Sequence, residues 1–169
     1  VSGAVLRTLI DKGVFLEEQR PISRLQQYTG ETQSPHTLDQ QQSHALTTIQ
    51  QTWEKTPVTL LHGVTSSGKT EVYIHLINQE VLKQGKQVLY LVPEIALTTQ
   101  LTDRLRAVFG EQLVVYHSRF SNAERVEIYN RVKEYEAKRR RGEEVKGMVI
   151  LGARSAIFLP FNDLGLIIV

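Results

Sequence analysis

Cysteine is absent from this 169-residue sequence, and methionine and tryptophan occur once each. Without thiols the stretch forms no disulfide and no thiolate-ligated metal centre. Nowhere does an apolar run approach the roughly 18 residues of a membrane span. The N-terminal residues also lack the basic-then-apolar pattern of a secretory signal, so the expectation is a cytoplasmic protein with no membrane partner. Surplus charge is scarce too, with 20 Lys and Arg against 18 Asp and Glu for a net +2. A value this small permits nucleic-acid binding without arguing for it. Internal repeats and low-complexity segments are missing. What is there is ordinary globular material, 41% hydrophobic and 22% charged, enough for one core and a small satellite module.

Residues 2 to 13 read as a short amphipathic helix. Ser2 is placed to cap it, Val5, Leu6, Leu9 and Ile10 recur at helical spacing, and Gly13 closes it. Two extended stretches follow, Val14–Gln19 and Ile22–Gln27, with Arg20-Pro21 as the turn. Helix then hairpin suits the back half of a winged-helix module and equally a hairpin with no DNA role. The polar stretch from Tyr28 to His36, with Gly30 and Pro35, reads as a linker. The expected organisation is thus a half-module over 1–27, a linker over 28–37 and a larger domain over 38–169.

In that domain a helix is expected from about Asp39. Thr37 and Gln40 have capping-box spacing, and Ala45, Leu46, Ile49 and Trp53 form its buried stripe. Thereafter strand and helix alternate. Strands are expected at Val58–Leu61, Val88–Val92, Leu113–Tyr116, Met148–Leu151 and Leu166–Val169, all short and aliphatic, as strands covered on both faces are. The first intervening helix carries Val72, Tyr73, Leu76, Ile77, Val81 and Leu82 and stops at Gly85. The second presents Leu97, Leu101, Leu105 and Val108 and stops at Gly110. A third opens at Ser121-x-x-Glu124 and runs to about Arg141, with Tyr129, Val132 and Tyr135 on its core side. The fold class is α/β, a mostly parallel sheet with right-handed crossovers and flanking helices.

Gly63-Val64-Thr65-Ser66-Ser67-Gly68-Lys69-Thr70 fits G-x-x-x-x-G-K-[ST], after an expected strand and before an expected helix. Gly63 and Gly68 let the backbone curl until successive N–H groups point inward, and the positive end of the next helix adds to them. Lys69 would reach the β- and γ-phosphates of ATP, and Thr70 would supply a hydroxyl to Mg²⁺. An incidental glycine turn seldom meets all of these conditions together.

The blocks around that loop resemble the PriA family of replication-restart DNA helicases. Gly63-Val64-Thr65 and Lys69-Thr70-Glu71-Val72-Tyr73 are similar to its first motif. Leu91-Val92-Pro93-Glu94-Ile95-Ala96-Leu97-Thr98, through Gln100, resembles the next. His117-Ser118 with Glu124-Arg125 is similar to its His-Ser segment, and Gly152-Ala153-Arg154-Ser155-Ala156-Ile157-Phe158 with Pro160-Phe161 to its Arg-Ser-Ala block. Leu164 to Val169 looks like the strand leading into the acidic Walker B motif, and residues 2 to 25 resemble the end of the family's winged-helix domain. Ser66 departs from the pattern, standing where the family usually has a third glycine; the stretch Glu134–Lys146 is longer than usual.

The resemblance implies a RecA-like P-loop lobe of a superfamily-2 helicase that moves 3′ to 5′ on DNA with ATP and Mg²⁺. It also implies stalled forks and single strands as substrates, and primosome proteins and single-strand-binding protein as partners. Gln42 falls at the adenine-reading position. Pro93, Glu94, Thr98, Gln100, Arg154 and Ser155 would follow the single strand or couple it to ATP. Helix-start N–H groups after Pro93 suit a DNA phosphate on pattern as well. The acidic pair of Walker B would lie past Val169, so no catalytic residue is expected here; the second lobe and the family's zinc-binding cysteines are likewise expected to be missing. The stretch alone is predicted to be inactive.

Several residues carry two readings. Glu94 also suits a helix start, where the dipole favours a carboxylate, and Arg154 suits a surface ion pair. His117 suits a general base on pattern, or a strand-capping hydrogen bond. Lys138-Arg139-Arg140-Arg141 suits either a DNA patch or a helix C-terminus. For the whole, another superfamily-2 translocase and a non-catalytic DNA-binding scaffold with a vestigial loop are the alternatives.

Overall fold

The computed structural model describes residues 3–16, 18, 23, 25, 28–64 and 66–169. Four strands, β1 (Gln87–Leu91), β2 (Leu113–Tyr116), β3 (Met148–Gly152) and β4 (Leu164–Ile168), form one parallel sheet in the order β2-β3-β1-β4. The helices are α1 (Gly3–Asp11), α2 (Gln40–Trp53), α3 (Lys69–Ile77), α4 (Thr99–Phe109) and α5 (Asn122–Arg140). A wide π turn at Asn78–Lys83 prolongs α3.

Side-chain alternation along the strands builds two cores. Val88 and Tyr90 of β1 and Val149 and Leu151 of β3 join Ile49, Val72, Ile74, Leu105 and Phe109 from α2, α3 and α4. Leu89, Met148 and Ile150 turn the other way and join Ile128, Val132 and Tyr135 of α5. Helices on both faces of a parallel sheet are the arrangement the alternating pattern required. Among the described residues no helix is long and apolar enough to cross a membrane.

Some expectations are corrected. Val58–Leu61 forms no strand and pairs with none of the four described strands, and Val58 and Leu60 stay more than 80% exposed. Its β-branched composition fits a pleated surface, but a strand exists only where a neighbour accepts its hydrogen bonds. Here a cavity of about 140 Å³ separates it from Leu166–Val169. The cap of α2 is Asp39, whose carboxylate accepts from the Gln42 N–H while the Gln42 amide oxygen accepts from the Asp39 N–H. The Thr37–Gln40 box does not form. On α5 the buried row is Ile128, Val132 and Tyr135, at i, i+4 and i+7, which leaves Tyr129 43% exposed. Leu82 is also largely exposed, because the π turn rotates it off the stripe that buries Val81.

Helix α1 forms as expected and buries no residue. Val14–Leu16 is not a strand, and most of the expected hairpin, with Ser2, lies outside the described residues. The stretch read as a linker lies against the sheet domain. The Gln33 N–H donates to the Ala107 carbonyl of α4, and the His36 carbonyl lies 2.8 Å from His75 Nε2 of α3.

Candidate functional site

The loop from Gly63 to Gly68 leads straight into α3, which begins at Lys69 with no side-chain cap. Two residues there are left-handed, Gly68 at φ 75° and Ser66 at φ 65°. Ser67 N–H donates to the Val64 carbonyl, tightening the turn. A Cβ at Gly68 would strike the Gln42 amide, and one at Gly63 would meet Ser67 Oγ at 2.7 Å. The glycines therefore give close approach, and the capping residue Gln42 lies directly over the loop. Thr65 falls outside the described residues; Thr70, half-buried, is the second residue of α3.

Lys69 Nζ donates to the carbonyls of Gly63 and Val64 at 2.7 and 2.8 Å. The ammonium is thus folded onto its own loop by two backbone oxygens, with no side chain among the described residues holding it. Oxygens of an anion can replace both, at charge-assisted strength. Behind the loop, Tyr73 packs edge-on against Tyr90 of β1, with ring centroids 5.7 Å apart. Burial, and then the neighbouring Tyr73, push the Tyr90 hydroxyl up to about 12. The tyrosine of the Lys-Thr-Glu-Val-Tyr block therefore anchors α3 to the sheet.

The other blocks meet at the C-terminal edge of the sheet, where open α/β folds present ligands. Leu91 pairs with Gly152 and Tyr116 with the same Gly152, so the segments after β1, β2 and β3 emerge side by side. Pro93 ends β1; Glu94–Ala96 makes one 3-10 turn, and Thr98 caps α4 by accepting from the Leu101 N–H. Gln100 is exposed in the first turn of α4. Arg154 and Ser155 open a second 3-10 turn, both exposed, and Arg154 has no ion-pair partner among the described residues. The surface ion pair considered for it is not formed.

Glu94 is engaged across the edge. Its carboxylate accepts from both the Ser118 hydroxyl and the Ser118 N–H, and the side-chain bond foremost, then the backbone bond, hold it below the usual carboxylate range. Arg125 of α5 donates to the Ser118 carbonyl at 2.5 Å, so the Glu94 and His-Ser segments are tied to one another and to α5. His117 Nδ1 is buried with no partner among the described residues while the ring lies on Phe120, so the strand-capping bond considered for it is not made through that nitrogen. In the basic run Lys138 pairs with Glu134, Arg139 with Asp163, Arg140 with Glu136 and Arg141 with Glu143, each basic side chain staying largely exposed. No group of three or more His, Cys, Asp or Glu among the described residues is placed to hold a metal ion.

Sequence reasoning missed two of these ties. Glu94–Ser118 spans 24 residues and leaves no periodic signal. Glu71, on α3, is only 8% exposed and is bound by Arg104 of α4. A carboxylate set among the apolar residues of a helix was the available clue.

A glycine-turned loop opening an uncapped helix, on a parallel sheet with several loop ends gathered at one edge, defines a P-loop motor lobe. The family profile of the DEAD/DEAH box helicases matches residues 39–169, and the chain belongs to that family. Its relatives include proteins named replication restart protein PriA. That of Bacillus subtilis (strain 168) is 38% identical over 172 residues, covering 99% of this chain. That of Synechocystis sp. is 40% identical over 169 residues, also covering 99% of the chain, and that of Helicobacter pylori (strain J99) is 44% identical over 132 residues, covering 78%. The chain spans about a fifth of these relatives, 20%, 19% and 19% of their respective lengths.

Proposed function

We propose that this chain is the nucleotide-gripping part of an ATP-dependent, 3′-to-5′ superfamily-2 DNA helicase that acts at stalled forks and promotes primosome assembly and replication restart. The observation that carries this reading is the Gly63–Thr70 turn, with Lys69 held, among the described residues, by two replaceable carbonyls at an uncapped helix start. The residue types of this loop, two glycines, a lysine and a threonine at a helix start, suit a nucleoside triphosphate. Backbone N–H groups from Gly63 through Gly68, Val64, Thr65, Ser66 and Ser67 included, would hold its phosphates with Lys69; Thr70 would face Mg²⁺, and Gln42 the base. ATP with Mg²⁺ supplies the phosphoryl-transfer energy that drives movement.

The residues of the chain bind and orient rather than cleave. Thr98 and Gln100 at the start of α4, with Arg154 and Ser155 beside them, would follow the phosphates of a single strand. Glu94, occupied by Ser118, would couple segments rather than touch DNA, since its charge repels phosphate. We place an end of a winged-helix module at 1–27, a linker at 28–37 and the front of helicase lobe 1 at 38–169. The setting is cytoplasmic, and the whole protein's partners are primosome proteins and single-strand-binding protein.

The test is titration of the chain with a fluorescent ATP analogue and Mg²⁺. Binding should be measurable and should weaken by about tenfold or more in Lys69→Ala, as loss of a charge-assisted phosphate bond implies. Equal binding by both forms refutes the phosphate-grip role. In the isolated chain no sustained ATP turnover is expected; DNA-stimulated hydrolysis abolished by Lys69→Ala would refute that part.

A further inference from the structure

The mechanism above leaves one charged pair unused. Glu71 is the one charged residue among the described buried side chains, and it lies one residue beyond Thr70 in the first turn of α3. Arg104 binds its Oε1 through Nε at 2.5 Å and through a terminal guanidinium nitrogen as well, a two-pronged grip. Its second oxygen has His36 Nδ1 at 3.9 Å. Arg104 stands on α4, whose first turn carries Thr98, Thr99 and Gln100.

We infer that the Glu71–Arg104 pair is a positioning device that links the nucleotide loop to the strand-contacting end of α4; this deepens the helicase reading and rests on it. The physical case has three parts. Burial of Glu71, whose side chain is 10% exposed against 42% for Arg104, favours keeping the contact, because parting it leaves the carboxylate poorly hydrated. Two guanidinium nitrogens on the one carboxylate oxygen hold α3 and α4 at a set distance. Each partner sits on a rigid element that begins at a different ligand's site, so a shift of the first turn of α3, when Lys69 leaves its loop carbonyls, drags α4 along.

Such a device shows as linkage between two ligands. The affinity of this chain for a fluorescein-labelled oligo-dT is measured by anisotropy, with and without saturating Mg²⁺ and a non-hydrolysable ATP analogue. The wild-type ratio of the two affinities is expected to differ from one by about fivefold or more. It should fall to within about twofold of one in Glu71→Gln and in Arg104→Gln, and the double variant should be no worse than either single. Arg104→Lys, which keeps the charge and loses the fork, should retain part of the effect and serves if the glutamine variants melt early. Merely structural damage would lower both affinities and leave their ratio alone. A wild-type ratio of one with both ligands bound, or a wild-type ratio in the variants, overturns the inference. Nucleotide binding indifferent to Lys69→Ala overturns instead the helicase reading beneath it.

Discussion

Ser66 holds a left-handed backbone, φ 65°, in the middle of the phosphate loop, the one non-glycine residue among those described to do so. A side chain in that region costs about 1–2 kcal/mol through the clash of Cβ with the following carbonyl. Glycine would remove the clash and give back part of the gain as chain entropy. Ser66→Gly is therefore expected to stabilise the chain by about 0.5–1 kcal/mol in urea denaturation; an unchanged midpoint would mean that the serine hydroxyl makes a compensating bond. Glu94 makes the complementary point. Its carboxylate is held low by Ser118, so the tie is complete above the ordinary carboxylate range and is lost only as pH falls through the depressed value.

At the scale of elements, two segments of similar composition end differently. Val88–Leu91 lies between β3 and β4 and is hydrogen-bonded on both sides, whereas Val58–Leu61 lies across a cavity from β4 without pairing. Amides that lack a ladder partner open with little free energy. Hydrogen exchange should therefore be fast at Thr59–Leu61 and slow at Val88–Tyr90 and Val149–Leu151. Comparable protection in both places would show that 58–61 is paired in solution. Helix α5 illustrates the opposite outcome, with both ends legible beforehand: Ser121 and Glu124 form the reciprocal cap, and the three basic residues of its last turn and Arg141 just after it each meet an acid.

For the molecule as a whole, stability comes from the two cores on either side of the sheet. Ile150 is fully buried against α5, and its truncation to alanine should cost about 2–5 kcal/mol by loss of burial and opening of a cavity. Leu60→Ala, by contrast, should stay within about 0.5 kcal/mol, since the side chain is 87% exposed. Thermal and urea unfolding of both variants measure the difference, and equal losses would mean that the 58–61 segment is covered in solution.

Local chemistry alone determined much of this protein. Hydrophobic period fixed four strands and the helices between them; glycines, a lysine and a threonine at set spacing marked the phosphate loop; Ser121 and Glu124 announced a helix start. Each depends on neighbours within a turn or two, which is the range over which sequence speaks directly. Only the folded chain decided that Val58–Leu61 would lack a ladder, that the helix cap would be Asp39 with Gln42 laid over Gly68, that Glu94 would bind Ser118, and that Glu71 would meet Arg104. Those outcomes join residues tens of positions apart, or hinge on whether a hydrogen-bonding neighbour arrives, and only packing the helices on the sheet brings such groups together.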